Sequence, residues 1–263
     1  MSAVRYAQPG IYSDCYLFDI NRYYSSLQRN INIPTSRPTF QKIDKLPEIL
    51  SPGFYKCIVE EGVDFFKYNV YNWYTQYSLN HLRIMYPKIK ISMDLESDFN
   101  NLEYPKSYCN FNKFNKIHST LYDLYKNKKC KVAKKIANMI WGMCCSRDFT
   151  KHRLVKNARI VFNPNTDTIK KKLNSLVLKK YKIGSYYKFP YARCGPFICS
   201  KGRKMLTEVI LKNFPPKDIK YIHTDGFVST SIPENFVSSD KMGGLRMEAK
   251  YKKMEIHNKN SKT

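Results

Sequence analysis

The sequence has no CxxC pair, and its five histidines fall at no zinc-finger spacing. A closed structural zinc site is therefore not indicated, and the eight cysteines read as buried thiols of a reducing compartment. The remaining metal arrangement, Cys194 and Cys199 meeting Cys144 and Cys145, matches no known closed-site spacing. No apolar run approaches the roughly 20 residues that span a bilayer, and no signal peptide opens the chain. A soluble intracellular protein with no membrane partner is expected, in a host nucleus, a cytoplasm or a viral replication site. Acidic residues are scarce as well: 21 Asp and Glu stand against 46 Lys and Arg, a formal charge of +25. With 21 Tyr and 15 Phe among the cations, the balance points to a polyanion. Nucleic acid fits best, because phosphates release counterions to the cations and bases stack on aromatic faces. The plainer account is an AT-rich genome biased towards Lys, Asn, Ile and Tyr codons.

The 263 residues suffice for one large domain or two modest ones. "CYLFDI" (15–20) reads as a strand ending at a carboxylate, and "SPGFYKCIVEE" (51–61) as a strand after a Pro-Gly turn. The spacing of Trp73, Tyr77, Leu82 and Met85 is helical. In the helix-rich stretch 105–149, Val132, Ile136, Ile140 and Met143 form an apolar stripe that should be buried. Residues 190–214 turn through Gly195-Pro196 into a basic-ended helix, and "DIKYIHTDGFVST" (218–230) is a hairpin broken at Gly226. The order implies a mixed α+β fold.

Three features carry chemistry. Asp225 sits in a Thr-Asp-Gly turn, where Asp is ordinarily structural, and Asp19 ends a strand, where it ordinarily caps the next element. Between them, Lys134, Asn138, Trp141, Gly142 and Cys145 form a second helical stripe that offers a cation, an amide, a ring and a gap to one ligand.

Together these segments resemble the family B DNA polymerases, particularly their divergent viral, virophage and linear-plasmid branch. The family's first motif, DxxSLYPS, is similar to "DINRYYSS" (19–26), which aligns Asp19 with the catalytic carboxylate and Tyr24 with the sugar-selecting tyrosine. Arg22, Tyr23 and Ser25 depart from it. The fingers motif KxxxNSxYG resembles "KKIANMIWG" (134–142), placing Lys134, Asn138, Trp141 and Gly142, with Met139 and Trp141 replacing Ser and Tyr. The third, DTDS, resembles "HTDG" (223–226), which keeps the second carboxylate as Asp225. The motifs occur in the family order: Asn138 lies 119 residues after Asp19, and Asp225 lies 87 after Asn138. "ARCGPFICSKGR" (192–203) and "KMGGLRMEAKYKK" (241–253) also resemble this branch, so the likeness covers nearly the whole chain.

The resemblance implies an antiparallel-sheet polymerase palm with a helical fingers insertion: palm over 1–100, fingers over 101–160 and palm again over 161–263. It implies DNA-directed DNA polymerisation, with primer-template DNA and dNTPs as partners and two Mg²⁺ ions held by Asp19 and Asp225. Nucleotidyl transfer needs two carboxylates around metals roughly 3.5 to 4 Å apart, which a strand end and a neighbouring hairpin tip supply. Lys134 and Asn138 would meet the phosphates, Tyr24 the sugar, and Trp141, beside Gly142, the nascent base pair. Lys250, Lys252, Lys201 and Arg203 are candidate DNA-backbone contacts, although a basic run near a C-terminus is usually a solvated face. Only 18 residues precede Asp19, so the family's upstream exonuclease domain is not expected, and the chain ends about where a thumb would begin. A terminal protein, or exonuclease and thumb segments on a second chain, are the further partners implied. Two rivals remain: a DNA-binding polymerase fragment without turnover, and a reverse transcriptase, whose hairpin usually carries adjacent carboxylates that "HTDGF" lacks.

Overall fold

The computed structural model describes residues 5–29, 31–34, 36–105, 109–111, 114–146, 149–154, 167–172, 175–181, 194–258 and 261–262. In chain order the elements are β1 (Arg5–Ala7), β2 (Gly10–Ile20), α1 (Tyr23–Arg29), β3 (Asn32–Pro34), β4 (Thr39–Gln41), β5 (Gly53–Val59), β6 (Trp73–Thr75), α2 (Gln76–Met85), β7 (Ile91–Met93), β8 (Asn101–Glu103) and β9 (Cys109–Phe111). They continue with α3 (Asn115–Lys126), α4 (Lys131–Cys144), β10 (Phe149–Leu154), β11 (Asp167–Lys172), β12 (Ser175–Tyr181), α5 (Cys194–Asn213), β13 (Ile219–His223), β14 (Gly226–Ser229), β15 (Leu245–Asn258) and β16 (Ser261–Lys262). The α+β architecture with antiparallel sheet expected from the sequence is present.

The central sheet runs β1-β13-β14-β2-β15-β16, and every pairing in it is antiparallel. Successive side chains of β2 alternate between its faces. Phe18 stacks on Phe227 at 5.1 Å and meets the edges of Phe214 and Phe236 at 4.9 and 5.2 Å. Cys15, Tyr221, Val228, Met254 and Ile256 form a separate buried cluster, with Leu17 packed against it. Asp19 shares the parity of Cys15 and Leu17, so it leaves the strand on the side away from the Phe18 ring.

A second sheet, β4-β8-β5-β6 with β7 on β5, builds its core from Leu50, Tyr55, Cys57, Val59, Tyr74, Leu79, Leu82 and Met93. Thr75 caps α2 by accepting from the Ser78 N–H, and its hydroxyl donates to Ser200 Oγ on α5 at 2.6 Å. Phe54 meets Phe197 of α5 edge-on at 5.0 Å. These contacts fix the second sheet against α5, and Phe214, the residue after α5, packs on Phe18 and Phe227 of the central sheet.

Met1–Asn138 and Pro196–Thr263 form one compact unit, and Met139–Gly195 forms another. The second unit holds the end of α4 and a three-stranded sheet, β10-β12-β11, with Leu178 buried in it. Among the described residues, no helix is long and apolar enough to cross a membrane.

Several expectations are corrected. Trp73 to Thr75 is a strand and the helix starts only at Gln76, because Thr75 takes the extended cap conformation. Residues 105–149 hold two helices separated at 127–130, together with β9. The stripe of Val132, Ile136 and Met143 is exposed, and the buried face of α4 carries Ala133, Ala137 and Cys144 instead. Small side chains let a helix approach its neighbours closely, so the narrow face wins over the more apolar one. Gly195 and Pro196 lie inside the first turn of α5, where proline's missing N–H costs nothing. The buried cysteines Cys15, Cys57, Cys144 and Cys199 are free thiols.

Candidate active site

Strand β2 delivers Asp19 at its second-to-last position, directly opposite Gly226, the first residue of β14. Gly226 is required by proximity, since a Cβ there would stand 2.9 Å from the Phe18 carbonyl oxygen. Immediately before it, Asp225 occupies the hairpin turn, and the Ile20 N–H donates to the Asp225 carbonyl at 2.9 Å. The turn itself is tight: the Asp225 N–H donates to the His223 carbonyl at 2.9 Å around Thr224, whose φ is +64°. This is a positive-φ γ-turn, a strained form that a β-branched residue rarely adopts. Strain of this kind persists only where the surroundings hold it, and it clusters at functional sites.

Asp19 and Asp225 line one pocket with Leu17, Phe18, Tyr221, His223, Gly226 and Glu248. Burial, then the Asp225 and Glu248 carboxylates, push Asp19 up to about 7, against the pull of Arg246 and Lys134. Burial likewise raises Asp225, with Glu248 adding to it and His223 opposing. Neither carboxylate is at ease in its charged form, and a cation placed beside them would relieve both.

Sequence reasoning missed Glu248 and Arg246. Arg246 lies opposite Asp19 in the β2/β15 register, and its guanidinium pairs with the Glu248 carboxylate two residues on. The signal was the alternation in "LRME", but only the strand register places it beside Asp19.

Hard oxygen donors in a partly buried acidic pocket fit Mg²⁺. Among the described residues no group of three His, Cys, Asp or Glu is arranged to hold a metal. A pair of carboxylates without a third such donor would suit Mg²⁺, which usually keeps several waters.

The other candidates divide. Tyr24 on α1 is half-buried against Tyr23, ring to ring at 5.1 Å, and burial, Cys199 and Asp225 push its hydroxyl up to about 12 against Arg203. Lys134 is exposed on α4 and near enough to lower Asp19, with Asn138 one turn further along and equally exposed. Trp141 and Gly142 continue the same helix beyond the unit boundary. Arg203 lies among Cys199, Tyr23 and Tyr24, and burial lowers its pKa. Lys201 sits 5.9 Å from the Tyr77 ring and is also lowered by burial. Lys250 and Lys252 are exposed on β15, and Lys250 reaches Asp14 at 3.9 Å and the Tyr16 ring at 5.3 Å.

The whole chain superposes on solved structures of phi29 DNA polymerase. The complex with primer-template DNA matches at a TM-score of 0.66 over 100% of this chain and 47% of that one, at 13% identity. The ternary complex with incoming nucleotide gives 0.64 and the complex with single-stranded DNA 0.63, each over 99% of this chain at 13% identity. The chain has a DNA polymerase fold. It spans about half the length of those polymerases. No protein-family model matches it, and no curated protein matches it in sequence. Within this polymerase fold, Asp19 near the end of β2 and Asp225 in the turn just before β14 are brought to one pocket by the pairing of β2 with β14.

Proposed function

We propose that the chain is the catalytic core of a DNA-directed DNA polymerase of the family B type, which extends a primer 3′-hydroxyl with dNTPs. The observation that carries this reading is the shared pocket of Asp19 and Asp225, two partly buried carboxylates whose pKa values are raised. The neighbours' complexes with primer-template DNA and incoming nucleotide support the substrate class, and the +25 charge supports a phosphate-rich partner.

Asp19 and Asp225 would hold two Mg²⁺ ions, which when bound activate the 3′-hydroxyl and offset charge on the triphosphate. Lys134 and Asn138, projecting from α4, meet the β and γ phosphates, where a cation stabilises charge developing on the departing pyrophosphate. Tyr24, held against Tyr23, packs below the sugar and leaves no room for a 2′-hydroxyl. Trp141 stacks on the nascent pair beside the gap at Gly142. Lys250, Lys252, Lys201 and Arg203 are assigned to the DNA backbone, with the half-buried pair on α5 the weaker donors. In this reading the six-stranded sheet is the palm and α3 with α4 the fingers.

Primer extension by the purified chain on primed DNA with Mg²⁺ tests the reading. We expect extension by the wild type, a loss of about a thousandfold in Asp225→Asn, and DNA binding unchanged by the substitution. Salt-sensitive DNA binding with no extension by either protein would instead make the chain a binding fragment that needs a second chain.

A further inference from the structure

Arg22 lies three residues beyond Asp19, just past the strand end, and departs from the family pattern. It adopts φ +52°, the left-handed region that a long side chain enters only when something holds it there. Its guanidinium lies 3.9 Å from the centre of the Tyr125 ring and 5.2 Å from that of Tyr122, both on α3. The Lys134 ammonium stands 5.8 Å from the same Tyr125 ring, and Lys126 stands 6.0 Å from Tyr122. Two tyrosine rings of one helix thus gather three cations, one of them the lysine that lowers Asp19.

The surroundings fix this turn from three sides. The Asn21 side chain donates to the Asp240 carbonyl at 2.6 Å, and the Tyr122 hydroxyl donates to the same carbonyl at 3.2 Å. The Asn21 N–H donates to the Gly244 carbonyl at 2.9 Å, while the Gly243 N–H donates to Asn21 at 2.7 Å. At the other end of α1, Arg29 Nε donates to Asn115 Oδ1 at 3.0 Å, where α3 begins. Strand end, β15 entry loop and α3 therefore meet at Arg22.

We propose that Arg22 is a positioning residue: clasped by Tyr122 and Tyr125, it ties α3, and with it the Lys134 seated at the Tyr125 ring, to the strand end that bears Asp19. The proposal rests on the polymerase reading for what Lys134 then does, namely receive the triphosphate. A planar guanidinium on a ring face is a geometry that lysine reproduces only in part.

The test uses the full chain and three variants. Arg22→Gly removes the clasp and suits the backbone conformation, Arg22→Lys keeps the charge, and Tyr125→Leu keeps apolar bulk without a ring face. Amide hydrogen exchange over residues 115–138 is measured together with KM for dATP and kcat in primer extension. We expect Arg22→Gly and Tyr125→Leu to speed exchange there by about tenfold and to raise KM about fivefold with kcat changed less, with Arg22→Lys between them and the wild type. Unchanged exchange in Arg22→Gly and Tyr125→Leu would overturn the clasp. Faster exchange with KM unaltered would overturn the positioning role. A wild type that protects these amides yet extends no primer would refute the polymerase reading and leave the clasp standing.

Discussion

Thr224 holds a φ of +64° in a turn closed by a 2.9 Å hydrogen bond from Asp225 to His223, a conformation that glycine would adopt without strain. Thr224→Gly should therefore leave the melting temperature unchanged or raise it, although glycine ordinarily destabilises by about 0.5 to 1 kcal/mol. Gly226→Ala should do the opposite, costing about 1 to 3 kcal/mol in a denaturant titration, because its Cβ would press on the Phe18 carbonyl. The acidic pair adds a pH dependence. Asp19 is raised to about 7 from 3.8, so the folded metal-free chain binds the proton more tightly than the unfolded one. Its contribution favours folding below about pH 4 and is lost as pH rises through 7, the reverse of a salt-bridged aspartate. Thermal melts in EDTA should accordingly fall between pH 4 and 7, and added Mg²⁺ should restore more stability at pH 8 than at pH 5, where protons compete for the same oxygens. Both carboxylates were legible in the sequence, since a strand-ending Asp and a hairpin Asp occupy positions that local pattern reveals. Glu248 and Arg246 were not, because which residue of β15 faces Asp19 depends on register and on the bulge between Met247 and Ala249.

At the scale of elements, α5 runs from the second sheet at Phe197 to Phe214, which packs on the central one, and its contacts depend on small or polar residues that periodicity does not flag. Gly202 faces the Tyr23 hydroxyl and Leu27 of α1 so closely that a Cβ would collide with both. Thr75 satisfies a helix end and Ser200 at once. Thr75→Val, which keeps the shape and removes the hydroxyl, should cost about 1 to 2 kcal/mol in the same titration. Strands β5 and β13 were readable from alternation, the end of β2 from its apolar run, β14 as the second arm of the hairpin, and α5 from the basic-ended stretch after Gly195-Pro196. Helix α4 was misread because apolar periodicity marks a face without saying whether it is covered: Val132 and Met139 are 60% and 57% exposed while Ala133 and Ala137 are buried.

Across the molecule, charge is distributed unevenly. Residues 36–105, which hold the second sheet, carry 8 Lys and Arg against 9 Asp and Glu, although the chain as a whole stands at +25. The cations therefore concentrate outside that sheet, and phosphate binding should track them. DNA affinity should fall steeply with salt, and replacing Lys42, Lys45 and Lys56 by Gln should leave the slope of log K against log [salt] unchanged, whereas replacing Lys250, Lys252 and Lys253 should reduce it by about 2 to 3. The fold was legible from ordered motifs spread along the chain. The second sheet was legible only at β5, since its other strands, of three residues each, are too short for alternation to register. Central to the proposed chemistry is that Asp19 and Asp225 act as one cation site. Mn²⁺ binding measured by electron paramagnetic resonance, in the wild type, Asp19→Asn and Asp225→Asn, tests this directly. Binding by the wild type that weakens at least about tenfold in each variant is the predicted result; equal Mn²⁺ binding in all three proteins would contradict it.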